Sequence, residues 1–215
     1  MAVVLPAYRE AGRVEAVVRG CLRHVPKVLV VDDCSPDRTA EQAAEAGAEV
    51  IRHPTNRGKG AALKTGFGHL LVLGFTHAIA MDADGQHDPE CIPAFIAAVT
   101  APGVLMVLGN RFKDVRGMPW LRRVTNRLMS WLIGLICRTP IPDSQCGYRL
   151  VRLDNPSLYS ATSDHFEYES EVLILTARAG GGIVSVPVPT TYGDERSKIR
   201  PWADTMRFLR LLLRL

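Results

Sequence analysis

Paired cysteines are the first thing this sequence lacks. Cys21, Cys34, Cys91, Cys137 and Cys146 are odd in number, scattered and without a Cys-x-x-Cys pair, so neither a disulfide framework nor a zinc site is indicated. A reducing, cytosolic setting is the expectation. Long apolar runs are missing too: none reaches the roughly 20 residues that span a bilayer. The N-terminus, Met1 to Pro6, enters a strand pattern at once and has neither the charged nor the apolar region of a signal peptide, so export by that route is not expected. No block of Lys and Arg is dense enough to make nucleic acid the main partner. The net charge of +4 is compatible with an anionic substrate or membrane surface. The Gly-x-x-x-x-Gly-Lys-Ser/Thr spacing of a P-loop is also absent.

What is present suffices for one sizeable core. At 215 residues, 47% of them hydrophobic, the chain reads as a single domain over residues 1–215. Its centre of interest is Ala80 to His87, Ala-Met-Asp-Ala-Asp-Gly-Gln-His, which follows the apolar run Phe75 to Ile79. Carboxylates therefore sit where a strand ends and the chain turns at Gly85, and strand ends are where open α/β sheets bind ligands. In an extended segment the two-residue spacing of Asp82 and Asp84 puts both side chains on one side. Two convergent carboxylates repel unless a cation joins them, and hard oxygen donors suit Mg²⁺ or Mn²⁺. The competing reading is a polar turn closing a strand.

Around that stretch the pattern alternates strand and helix. Apolar runs at residues 2–5, 27–31, 49–53, 104–108 and 184–188 read as strands, and 10–24, 39–46, 89–99, 118–138 and 166–179 as helices. The fold class is α/β with a mostly parallel central sheet and flanking helices. The loop after the first strand offers Pro6, Ala7, Tyr8 and Glu10. Asp33, after the second, can accept hydrogen bonds from a base or ribose, while Asp37 reads as a helix cap. Gly58-Lys59-Gly60 at a helix start brings backbone N–H groups, the helix dipole and an ammonium to one spot suited to phosphate. Gly66 and Gly68 within that helix read as sites of close packing.

The alternation weakens beyond Arg111. Met118 to Arg138 has a basic end with Arg122, Arg123 and Arg127 and an apolar end with Trp131, equally suited to a membrane interface and to a core helix. Asp143 to Arg149 gathers a carboxylate, an amide and a cation beside Gly147. Glu167, Glu169 and Glu171 fall in the first turns of a helix, where the dipole favours them, and read as mostly structural. Arg196 and Lys198 sit on a basic loop fit to cover a diphosphate. Trp202 to Leu215 forms an amphipathic tail with Arg207, Arg210 and Arg214 on one face; it packs on the domain, docks on a membrane or partner, or continues into a longer chain.

Taken together, these segments resemble the family-two glycosyltransferases of GT-A fold, most of all the polyprenyl-phosphate sugar transferases typified by dolichol-phosphate mannosyltransferase. The resemblance runs from Leu5 to about Lys198. It implies nucleotide contacts from Pro6, Ala7, Tyr8, Glu10, Asp33, Lys59 and Asp82, with metal and sugar-nucleotide ligands at Asp82, Asp84 and Gln86. Arg111, Asp143 and Arg149 match its acceptor side, and Arg196 and Lys198 its basic loop, which with Asp84 complete the implied catalytic set. Residues 1–110 would then bind the nucleotide sugar, 111–200 the acceptor, and 201–215 form the tail. Gly85 stands where the mannosyltransferases commonly have Leu, and Gln145-Cys146 replaces a Thr-Ser type pair. These differences bear on the sugar more than on the reaction.

The implied activity is inverting transfer of a hexose from GDP-mannose or UDP-glucose to a polyprenyl phosphate, with Mg²⁺ or Mn²⁺, at the cytoplasmic face of a membrane. A membrane-anchoring partner subunit would fit it. A phosphate acceptor, largely ionised at neutral pH, has little need of a strong base. The nearest alternative is the same fold acting on a sugar or protein hydroxyl, with Asp143 as general base. A non-catalytic nucleotide-sugar-binding module is a second alternative, and a nucleotidyltransferase a third, which a missing Gly-rich Lys/Arg signature disfavours.

Overall fold

The computed structural model describes residues 1–113, 115, 118–189, 208, 211 and 214. Seven strands form one sheet: β1 (Ala2–Ala7), β2 (Val28–Asp32), β3 (Glu49–Arg52), β4 (His77–Ala80), β5 (Val104–Asn110), β6 (Arg149–Arg152) and β7 (Gly182–Pro187), in the order β3-β2-β1-β4-β6-β5-β7. All neighbours are parallel except β6, which runs antiparallel to both β4 and β5. The mostly parallel sheet expected from the alternation is therefore observed, with one reversed strand wedged into it. That strand, Arg-Leu-Val-Arg, has only two apolar residues between its arginines, too few to show a strand period.

The helices are α1 (Val14–Leu22), α2 (Thr39–Glu45), α3 (Lys59–Val72), α4 (Ile92–Val99), α5 (Trp120–Cys137), α6 (Ser157–Ser160) and α7 (Glu167–Arg178). They cover both sheet faces, as a buried parallel sheet requires. Alternation along the strands divides the core: Ala2, Val4, Leu29 and Val31 pack with residues of α3, α5 and α7, while Val3, Leu5, Val28 and Val30 pack with α1 and α4. The described tail residues join the first of these layers. Phe208 and Leu211 are buried in it, and Arg214 pairs with the buried Glu171 at 2.8 Å.

Two local expectations need correction. Gly66 does allow close packing, since a Cβ there would meet Val4 Cγ1 at 2.5 Å, but Gly68 has nothing within 4 Å of such an atom. Helix geometry turns these two positions to different sides. Secondly, β4 stops at Ala80, and Ala83 and Asp84 lie in a turn completed by Gly85 at φ +80°. Asp82 and Asp84 are thus not alternate residues of an extended segment, and the same-side argument for them does not hold.

Candidate active site

Strand direction collects the singled-out positions at one edge of the sheet. β1, β2, β4 and β5 all end there, and the antiparallel β6 starts there. Tyr8 and Glu10 leave β1, Asp33 leaves β2, Asp82 to Gln86 leave β4, Arg111 leaves β5, and Asp143 to Tyr148 lead into β6. The loop after β1 is stitched down by its own amides. The N–H groups of Arg9, Glu10, Ala11 and Gly12 donate to Ser35, Thr39, Asp37 and Gln42 side chains. Asp37 also accepts from Thr39 N–H at 3.2 Å, but it lies one residue before the N-cap position, which Arg38 fills without a side-chain cap.

A compact charge cluster lies beside the Asp stretch. Lys59 Nζ is 2.7 Å from Asp82 Oδ1 and 2.9 Å from Glu169 Oε2. Glu169 Oε1 lies 3.9 Å from Arg149 Nε, and His87 Nε2 is 3.8 Å from Asp82 Oδ2. Burial opposes the charged form of Lys59, but the two carboxylates outweigh it and hold the ammonium above its ordinary pKa. Asp82 is likewise desolvated, yet Lys59 and His87 keep its carboxyl well below the usual range. Gly147 closes one side of the cluster: a Cβ there would strike Asp82 Oδ2 and Lys59 Nζ, each at 2.9 Å.

Several expected roles look different in this geometry. The N-terminus of α3 is not an open phosphate cradle. Ala61 N–H donates to Asp164 O, Gly58 N–H to Asp33, and residues 164–168 pack against Gly58 and Gly60. Lys59 is held between two carboxylates, Asp82 and Glu169. Asp33 does not reach outward to a base or ribose either. Its carboxylate receives the N–H groups of Arg57 and Gly58 at 2.9 and 2.7 Å and lies 2.8 Å from His53 Nδ1. It fixes the loop that starts α3.

At the start of β6, Arg149 is a strut. Its guanidinium donates to the carbonyls of Cys146, Glu169 and Ser144 at 2.8, 2.6 and 2.6 Å and is buried. Arg111 grips Asp143 bidentately, Nε to Oδ2 at 2.8 Å and Nη2 to Oδ1 at 2.9 Å, the strong fork geometry of an Arg–carboxylate pair. Asp143 is fully buried and has no open side from which to take a proton. Asp84 and Gln86 are half-buried, with Gln86 N–H donating to Asp84 Oδ1 at 3.0 Å. Arg196 and Lys198 lie outside the described residues.

Asp82 and Asp84 bring to this edge carboxylate oxygens, hard donors of the kind Mg²⁺ and Mn²⁺ take, and no group of three or more His, Cys, Asp or Glu suited to a metal occurs among the described residues. Two carboxylates, a diphosphate and water make up the kind of shell Mg²⁺ prefers.

The sequence pattern described as "Glycosyl transferase family 2" matches residues 2–154. The chain belongs to that family. Among its relatives are a polyprenol monophosphomannose synthase of Mycolicibacterium smegmatis, 30% identical over 88% of this chain and 76% of that protein, and an undecaprenyl-phosphate mannosyltransferase of Micrococcus luteus, 33% identical over 86% of this chain and 81% of that protein. The fold matches a glucosyl-3-phosphoglycerate synthase from Mycobacterium tuberculosis, solved with Mn²⁺, UDP and phosphoglyceric acid. The TM-score is 0.79 over 99% of this chain and 76% of that one, at 21% identity. The architecture is GT-A, and the chain is a family-two glycosyltransferase related to polyprenyl-phosphate sugar transferases.

Glu169, read from the sequence as structural, and His87, which carried no reading of its own, are the members of the charge cluster that sequence reasoning did not place there. A carboxylate in the first turn of a helix has an adequate local explanation, and its pairing with Lys59 joins α7 to α3 across the fold. His87 lay inside the Asp stretch, which was the signal available for it.

Proposed function

We propose that this chain is an inverting, divalent-metal-dependent hexosyltransferase that moves mannose from GDP-mannose, or glucose from UDP-glucose, onto a polyprenyl phosphate at the cytoplasmic face of a membrane. The observation that carries this reading is the outer face of α5. Trp120, Leu121, Val124, Leu128, Trp131 and Leu135 are each more than half exposed, and the last five recur at spacings of three and four. That stripe, flanked by Arg122, Arg123 and Arg127, suits an anionic lipid interface. The opposite face is anchored in the site, because Ser144 N–H donates to Ser130 Oγ at 2.9 Å. A lipid-linked acceptor would thus arrive next to the edge that holds Asp82 and Asp84. The relatives' names, which specify polyprenol and undecaprenyl phosphates, support the same acceptor class.

The chemistry divides simply. A bound Mg²⁺ or Mn²⁺ would stabilise the charge that develops on the departing diphosphate. Asp82, Asp84 and Gln86 would hold the donor at the strand edge, and the stitched loop at Tyr8 and Glu10 would border it. The burial of Asp143 argues against a hydroxyl acceptor deprotonated by that carboxylate, whereas an acceptor phosphate needs no such base. The test is transfer of labelled sugar from each donor, with metal, into an organic-extractable polyprenyl phosphate, with Asp84→Ala as control. Lipid-phase label that disappears with Asp84→Ala is the expected result. Donor binding without lipid product from either donor would overturn the reading.

A further inference from the structure

We propose that Glu169 is a positioning residue that lets Asp82 change partners: when a divalent cation and a nucleoside diphosphate bind, Lys59 leaves Asp82 and stays on Glu169. This rests on the reading of the edge as a cation-assisted donor site. A buried ammonium paired with one carboxylate is hard to separate, because either charge left alone is strongly unfavourable. Here the ammonium has two carboxylate partners, at 2.7 and 2.9 Å. Departure from Asp82 therefore leaves Lys59 still paired.

The second carboxylate has capacity to receive it. Glu169 Oε1 is buried without a hydrogen-bond partner, and an ammonium brings three protons to such an acceptor. Arg149, 3.9 Å away, is committed to three carbonyls and cannot turn toward that oxygen without giving some of them up. Gly147 leaves the flank of Asp82 and Lys59 without a side chain that would block the shift. Asp82 is also the more exposed of the two carboxylates, 32% against 11% for Glu169, so an incoming cation meets it first.

The test is Mn²⁺ uptake by the whole chain in the presence of UDP or GDP, read from the electron paramagnetic resonance of the free ion. In Glu169→Gln the ammonium has, among the described residues, only Asp82 as a charged partner, so Mn²⁺ affinity falls at least about tenfold. In Lys59→Met/Glu169→Gln no ammonium competes for Asp82, and affinity returns to within about threefold of the wild type. Wild-type affinity in Glu169→Gln, or a double variant as weak as the single one, overturns the inference and leaves the donor site standing. A wild-type chain that takes up no Mn²⁺ with either nucleotide overturns the donor reading itself. Should the variants fail to fold, a crystal structure of the wild type with Mn²⁺ and nucleotide decides. Lys59 on Glu169 and out of contact with Asp82 supports the exchange; Lys59 still touching Asp82 overturns it.

Discussion

Lys59 pairs with two carboxylates at once, so its removal is felt twice. Lys59→Met is expected to destabilise the fold by about 3 kcal/mol at pH 7, as for other buried pairs that lose one partner, measured by urea unfolding. The pH dependence follows from the two shifted groups. Asp82 is held below its ordinary range, so its contribution is complete above an unfolded value of about 4 and fades as pH falls beneath it. Lys59 is held above its range, so its share is complete below about 10.4 and fades above. The gap between wild type and Lys59→Met should therefore be widest between those limits and narrow on either side. Asp143→Asn tests a different claim. It breaks the buried bidentate grip on Arg111 and should cost about 3 kcal/mol of stability. The pH–rate profile of its remaining transferase activity should keep the wild-type shape; loss of the acid limb would identify Asp143 as the base after all.

Elements differ in how openly the sequence declares them. On α3, Gly66→Ala should destabilise by about 1–3 kcal/mol through its clash with Val4. Gly68→Ala, facing open space, should stabilise by up to about 1 kcal/mol from helix propensity alone. Thermal melts of the pair give opposite signs if α3 is seated as described. On α5, Leu128→Glu with Trp131→Glu should abolish sedimentation with anionic vesicles while changing stability by less than about 0.5 kcal/mol, as expected of exposed positions. Strands with runs of β-branched residues, such as Val28 to Val31, were legible because burial on both faces demands that composition. The helix start at Lys59 was legible from its flanking glycines, whereas the spacing of Asp82 and Asp84 misled, because β4 stops at Ala80. What Lys59, Arg149 and Asp143 touch was not, since each partner set is assembled by tertiary packing rather than by neighbours in the chain. Periodicity alone did not decide whether the exposed stripe of α5 faced the core or solvent.

The whole molecule is held together by a strand from its second half. β6 sits between β4 and β5 and bonds to both, so residues 1–110 contain a sheet with a gap at its centre. A chain ending at residue 140 should lack a cooperative unfolding transition and should associate through the strand edges left uncovered on β4 and β5, readable by calorimetry and light scattering. The same wedge has a consequence for how the protein comes into being. β4 leaves the ribosome about 70 residues before β6, a delay of several seconds at about 5–20 residues per second. During that time the nascent sheet cannot close, and the edge that will carry Asp82 has no opposing β6 loop. Completion of the strand order and assembly of the charge cluster are thus one late event in the life of each new chain.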